Sequence, residues 1–261
     1  MALIDNLVAY YKLDETSGSR ADSHGAFTLA DTGSVSNTTG LISNAASFVL
    51  GSSQTLSIAN DLGITGGAIS ISLWVKLRNE IASGIWGFAM QGDAGVDVHY
   101  FMGYDYNAGT RRVYVNRQRQ NTSNNLIQTN TTLGTSTWHH IVLTYNATTL
   151  EGYLDGTSFG TLGTSGNGAG SGVDIFQVGQ ESSGYSGGTG GYCDANIDEV
   201  GVWSRAITSA EVTELYNSGS GKAYPFTSGT IKSYNGTLTA SVKSILNGTL
   251  KASVKTWNGI T

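Results

Sequence analysis

The chain has 261 residues, enough for one large domain plus an appendage, with 36 glycines, a single proline, 13% charged residues and a net charge of −5. That composition suits short strands joined by tight turns, in which glycine supplies the positive φ angles, and disfavours long helices. Mild acidity leaves no footprint for a phosphate backbone, and no stretch approaches the roughly 20 apolar residues of a membrane span, so neither nucleic acid nor membrane insertion is expected.

The opening residues MALIDNLVAYY lack the basic start and apolar run of a secretory leader. Short strands are predicted over Val8–Leu13, Ala45–Val49 and Thr55–Ile58. Over Ile69–Leu77, Ile69, Ile71, Leu73, Val75 and Leu77 alternate with Ser70, Ser72, Trp74 and Lys76, the pattern of a half-buried strand. Further strands are read at Trp86–Met90, His99–Tyr104 and Arg112–Val115. The cluster Arg111, Arg112, Arg117 and Arg119 reads as a solvated strand-edge face. Trp138–Tyr145 and Leu150–Leu154 lead into Asp155-Gly156, a strong hairpin-turn pair. Asp174–Gly179 and Ala195–Trp203 complete the strands, and their regular spacing implies a sandwich or jelly roll. The single cysteine, Cys193, excludes an internal disulfide and a multi-thiolate metal site.

One helix is predicted, Ser209–Asn217, with Thr208 and Glu211 as a capping box, Val212, Leu215 and Tyr216 as its apolar stripe, and Gly219 as its end. Beyond Phe226 the composition changes to an internal repeat. Ile231-Lys-Ser-Tyr-Asn-Gly, Val242-Lys-Ser-Ile-Leu-Asn-Gly and Val254-Lys-Thr-Trp-Asn-Gly place an Asn-Gly turn about every dozen residues. Residues 227–261 therefore read as a small β-meander tail following a domain of residues 1–226. Such a ribbon is marginal alone and would have to pack on the sandwich, form a homo-oligomer or dock on an assembly.

The order of landmarks resembles the LamG-like (laminin G, concanavalin A-like) jelly-roll family. These are Val8-Ala-Tyr-Tyr-Lys-Leu-Asp-Glu-Thr-Ser-Gly18, Ala21-Asp-Ser-His-Gly25, Ala45-Ala-Ser-Phe48, Ser70-Ile-Ser-Leu-Trp-Val75, Trp138-His-His-Ile-Val142, Tyr153-Leu-Asp-Gly156 and Ile197-Asp-Glu-Val-Gly-Val-Trp-Ser-Arg-Ala206. The resemblance covers about residues 3–226 and implies an all-β, two-sheet jelly-roll sandwich with one short helix and a glycan- or protein-binding surface. The Val-Lys-x-x-Asn-Gly repeats of the tail resemble those that end some bacteriophage structural proteins. That implies a virion or bacterial-surface location, with other virion proteins as partners of the tail.

The resemblance also implies a structural calcium ion, which favours gathered carboxylate and carbonyl oxygens. Asp198 matches the family's last-strand acid, and Asp22 and Asp14 in the early loops are its candidate partners. The alternative is that Asp14 and Asp22 cap turns through their own backbone. For glycan recognition, flat aromatic faces ringed by amides and carboxylates are sought on loops. Trp86, Tyr104, Asp105, Tyr106 and Tyr185 are the candidate ligand-binding residues, with Tyr104, Tyr106 and Tyr185 expected to be exposed. Trp74, Trp138 and Trp203 are assigned to packing.

Catalysis is not expected. Sandwich glycosidases of related fold hold two carboxylates about 5 to 9 Å apart, often as Glu-x-Asp-x-x-Glu. No glutamate here starts that pattern, and Asp198 and Glu199, as strand neighbours, should point to opposite faces. The sequence thus reads as a carbohydrate-binding or adhesion module, with a purely structural virion protein as the rival.

Overall fold

The computed structural model describes residues 1–64, 67–93, 98–119, 123–164, 174–180 and 191–226; the repeat tail and Tyr185 lie outside the described residues. The strands, in chain order, are β1 (Leu7–Tyr11), β2 (Ala30–Thr32), β3 (Ser36–Thr39), β4 (Asn44–Ser47), β5 (Thr55–Ile58), β6 (Ile69–Leu77), β7 (Gly84–Asp93) and β8 (Val98–Asn107). They continue as β9 (Thr110–Arg119), β10 (Ser123–Asn130), β11 (His139–Tyr145), β12 (Thr149–Leu154), β13 (Thr157–Gly163), β14 (Asp174–Val178) and β15 (Ala195–Trp203), followed by helix α1 (Ser209–Tyr216). A first sheet runs β13-β12-β11-β6-β15-β4-β3, with β1 also paired to β15, and a second runs β10-β9-β8-β7-β14-β5-β2. Neighbours pair antiparallel, giving the expected two-sheet jelly-roll sandwich.

The core between the sheets follows from strand alternation. Ile69, Ile71, Leu73, Val75 and Leu77 of β6 face Trp86, Tyr100, Met102, Tyr104, Val113 and Val115 of the second sheet within one apolar cluster. Each such side chain removed from water contributes about 1.5 to 3 kcal/mol.

The other face of β6 departs from the half-buried expectation, because Ser70, Ser72 and Trp74 are buried too. Three segments cover it. Helix α1 lays Tyr216 on Trp74, 5.7 Å between ring centroids, and Trp74 stacks on His140 at 5.0 Å. Ser70 donates to the Arg205 carbonyl and accepts from the Ile207 N–H, while Ser72 bonds His140 Nε2 at 2.8 Å. Burial holds the His140 imidazole down at about 3, so it is neutral and acts as a packed polar ring.

The amino terminus and the segment after α1 complete the cover. Trp203 Nε1 donates to the Leu3 carbonyl at 2.7 Å, and Phe226 stacks on Trp203 and meets Tyr10 edge-on. Arg205 bridges the pieces. Its guanidinium bonds the Asp5 and Ala2 carbonyls and both carboxylate oxygens of Glu211, at 2.6 and 2.8 Å. The Thr208–Glu211 capping box forms as expected. The helix ends at Asn217 as expected, with the Asn217 N–H making the last helical bond, to the Thr213 carbonyl, and its φ of 47° turning the chain into the left-handed region.

Strands β2, β3, β10 and β13 were not predicted. Each is polar and mostly exposed on one or both faces, so the apolar alternation that marks a strand is missing. Among the described residues no helix is long and apolar enough to cross a membrane.

Candidate functional site

The predicted ligand residues sit on β7, β8 and the hairpin that joins β8 to β9. Along β8 the even-numbered residues from Tyr100 to Tyr106 point between the sheets, and Trp86 lies directly opposite Tyr104 in the register. Tyr104 is therefore fully buried, with its hydroxyl accepting the Leu133 N–H at 3.0 Å, and Trp86 is 4% exposed. This corrects the expectation that Tyr104 is open to a ligand, and it places Trp86 in the core as well. The inward alternation of an apolar strand explains both, because every second aromatic there must fill the sandwich.

Tyr106, last in the inward row, reaches the rim and is only partly buried. The Arg111 guanidinium lies 5.1 Å from its ring centroid and pairs with Glu80 at 3.1 Å. Asp105, one residue earlier, points the other way, onto the outer face of the second sheet. There Arg112 grips it through two bonds, of 2.9 and 2.5 Å. Arg112 faces Asn130 across β9 and β10, and the next row pairs Tyr114 with Gln128; both amide residues are exposed. Arg117 differs from the solvated face expected for the arginines, being 1% exposed and lying over the Tyr145 ring at 4.7 Å.

Tyr114 lies across Gly103, where a Cβ would run into the Trp86 carbonyl oxygen and the Tyr114 hydroxyl. Gly103→Ala is expected to lower stability by about 2 kcal/mol or more in thermal melts. An unchanged melting temperature would remove Tyr114 from that position.

The predicted calcium acids are placed as loop ties. Asp22 accepts the Tyr10 and His24 N–H groups on one oxygen and the Phe27 N–H on the other, the turn-capping alternative. Asp14 accepts the Asn44 N–H at 3.0 Å, and Asp198 accepts the Leu41 and Ile42 N–H groups at 2.8 and 3.1 Å. Asp14 and Asp198 thus grip the β3–β4 hairpin from two sides. Gly40 sits so close to Asp198 that a Cβ would lie 2.6 Å from its Oδ2. Among the described residues no three His, Cys, Asp or Glu side chains gather where they could hold a metal ion. The three acids therefore do not fit as one calcium set.

Asp198 and Glu199 do not point to opposite faces. A bulge in β15 falls between Asp198 and Gly201, with Glu199 at φ 51°, and the alternation fails there. Glu199 consequently bonds the Tyr10 hydroxyl on the outer side, where Asp198 also lies. Burial raises the Asp198 carboxyl to about 8 and the Glu199 carboxyl to about 7. Glu199 is a further cause of the Asp198 shift, by like-charge repulsion.

Residues 50–213 match the model of the laminin G-type concanavalin A-like lectin/glucanase domain. The chain belongs to the concanavalin A-like lectin/glucanases superfamily. The superfamily fold recurs in domain 4 of AbnA, an extracellular arabinanase from Geobacillus stearothermophilus, whose structure is in complex with arabinotriose. That match has a TM-score of 0.58 and 16% identity, and covers 80% of this chain and 97% of the other. The binding domain of Paraclostridial Mosquitocidal Protein 1 matches with a TM-score of 0.61 and 18% identity over 83% of this chain and 53% of that one. The botulinum neurotoxin serotype G binding domain gives 0.63 and 13% over 81% and 50%. This superfamily member thus spans about half the length of those toxin binding domains. Comparison with curated protein sequences found no match.

Proposed function

We propose that the chain is a non-catalytic carbohydrate-binding or adhesion module that takes a glycan on the outer face of its second sheet. The observation that carries this reading is the polar row of that face. The Asp105–Arg112 fork is flanked by the exposed amides of Gln128 and Asn130, the donor and acceptor types that sugar hydroxyls need. Tyr106, at the end of the inward row and under the Arg111 guanidinium, is not part of that face. The arabinotriose complex of the Geobacillus domain, which shares the fold, supports a saccharide as ligand. Burial of Asp198 and Glu199, at 0% and 4% exposure, argues against their use as a hydrolytic pair. The repeats of residues 227–261 support a virion or bacterial surface as the setting, with the tail docking on other virion proteins or on its own copies.

A glycan-array screen of the full chain and of Arg112→Ala tests the proposal. Selective binding that falls about tenfold or more in Arg112→Ala is the expected result. Binding untouched by Arg112→Ala would move the site elsewhere. A blank array would favour a purely structural virion role.

A further inference from the structure

The helix that covers the first sheet stops short of one end of it. Tyr216 lies on Trp74, but the next outward residue of β6, Lys76, is only partly buried. Lys76 stands opposite Asn196 of β15, and Asn196 stands opposite Ser47 of β4. Trp138, one residue before the first paired position of β11, falls beside Lys76, whose Nζ lies 5.1 Å from its ring centroid. These four residues form a row across four strands, roughly 14 Å long at the usual inter-strand spacing.

Two features distinguish the row from an ordinary solvated edge. Asn196 is 9% exposed, and its side-chain carbonyl oxygen has no hydrogen-bond partner among the described residues, which is costly for a buried acceptor. Lys76 is absent from the ion pairs among the described residues. The nearby acid is neutralised, because Asp194 receives Arg78 at 2.7 Å and Asn79 at 2.6 Å. Among the described residues the strip therefore offers a partly exposed indole, a cation in no ion pair and a buried acceptor short of a donor.

We propose that the row Trp138–Lys76–Asn196–Ser47 is a second saccharide site, selective for short acidic oligosaccharides. A sugar ring lies along Trp138, its carboxylate meets Lys76, and a ring hydroxyl donates to Asn196. The inference takes only the class of ligand from the preceding proposal, and it lies on the opposite sheet.

Calorimetric titration of the full chain with trigalacturonate, and with galactotriose as the neutral counterpart, tests it. Trigalacturonate is expected to bind about fivefold or more tighter than galactotriose, and Lys76→Gln to abolish that preference without changing the melting temperature. Trp138→Ala is expected to weaken trigalacturonate about tenfold. Both variants should retain any ligand found for the second sheet. Absence of trigalacturonate binding, equal affinity for the two sugars, or binding indifferent to Lys76→Gln would each overturn the second site. The glycan array would still judge the first site independently.

Discussion

Glu211→Ala is expected to cost about 3 to 5 kcal/mol of folding stability, because it strands a buried guanidinium. The Glu211 carboxylate holds Arg205 through bonds of 2.6 and 2.8 Å, with side chains only 5% and 11% exposed. Burial works against the ionised Glu211, but the bonds from Arg205 and Thr208 outweigh it and hold the carboxyl below its usual value. Arg205 also binds the carbonyls of Ala2 and Asp5, so the variant loosens the start of α1 and the amino terminus together. Denaturant unfolding at pH 7 checks this. The double variant Glu211→Ala/Arg205→Ala should lose less than the sum of the two singles. A loss below about 1 kcal/mol for Glu211→Ala would show that the pair is solvated and structurally idle.

The second large effect is a stability that falls as pH rises. The folded-state pKa of Asp198 is raised by burial to about 8, from a usual 3.8. Below that usual value both the folded and unfolded chains hold the proton, and the group favours neither. Between about pH 4 and 8 the unfolded chain releases it while the folded chain keeps it, so stability drops by up to about 1.4 kcal/mol per pH unit. Glu199, raised to about 7, adds to the slope over the lower part of the same window. Among the described residues Asp198 Oδ1 has no hydrogen-bond partner of ordinary geometry, which a neutral acid tolerates better than a carboxylate does. Asp198→Asn keeps an acceptor for the Leu41 and Ile42 N–H groups without the charge. It is expected to match the native protein near pH 4 and below, exceed it increasingly up to pH 8, and show a flatter profile of melting temperature against pH. Parallel profiles would show that Asp198 is ionised throughout.

Much of this architecture is legible in the residues because its strands obey simple alternation. The Ile69–Leu77 pattern fixes β6 and its inward face, and the Thr208–Glu211 spacing fixes the helix start. What escapes the sequence is local geometry. The β15 bulge places Glu199 on the same side as Asp198, because an extra residue defeats the period of two on which facing arguments rest. Burial of the Ser70, Ser72 and Trp74 face depends on segments distant in sequence, among them the amino terminus, α1 and Phe226.

The candidate site follows the same division. Asp105 and Tyr106 are both candidates in the sequence, and strand alternation alone puts neighbours on opposite faces, but which of the two turns inward follows only from the fold, in which Tyr106 joins the row of Tyr100, Met102 and Tyr104. Tyr104 and Trp86 were misplaced because a run of closely spaced aromatics gives no sign of which ones fill the core. Gln128 and Asn130 were missed because β10 carries amides where a readable strand carries aliphatic residues.

An amide NMR map of the labelled full chain, titrated with the strongest ligand from the glycan array, tests the lectin reading most directly. Shifts gathered at Asp105, Arg112, Gln128 and Asn130 are the predicted result. A map that leaves those four residues unmoved at saturation, or no shift with any array ligand, would contradict glycan binding on the outer face of the second sheet.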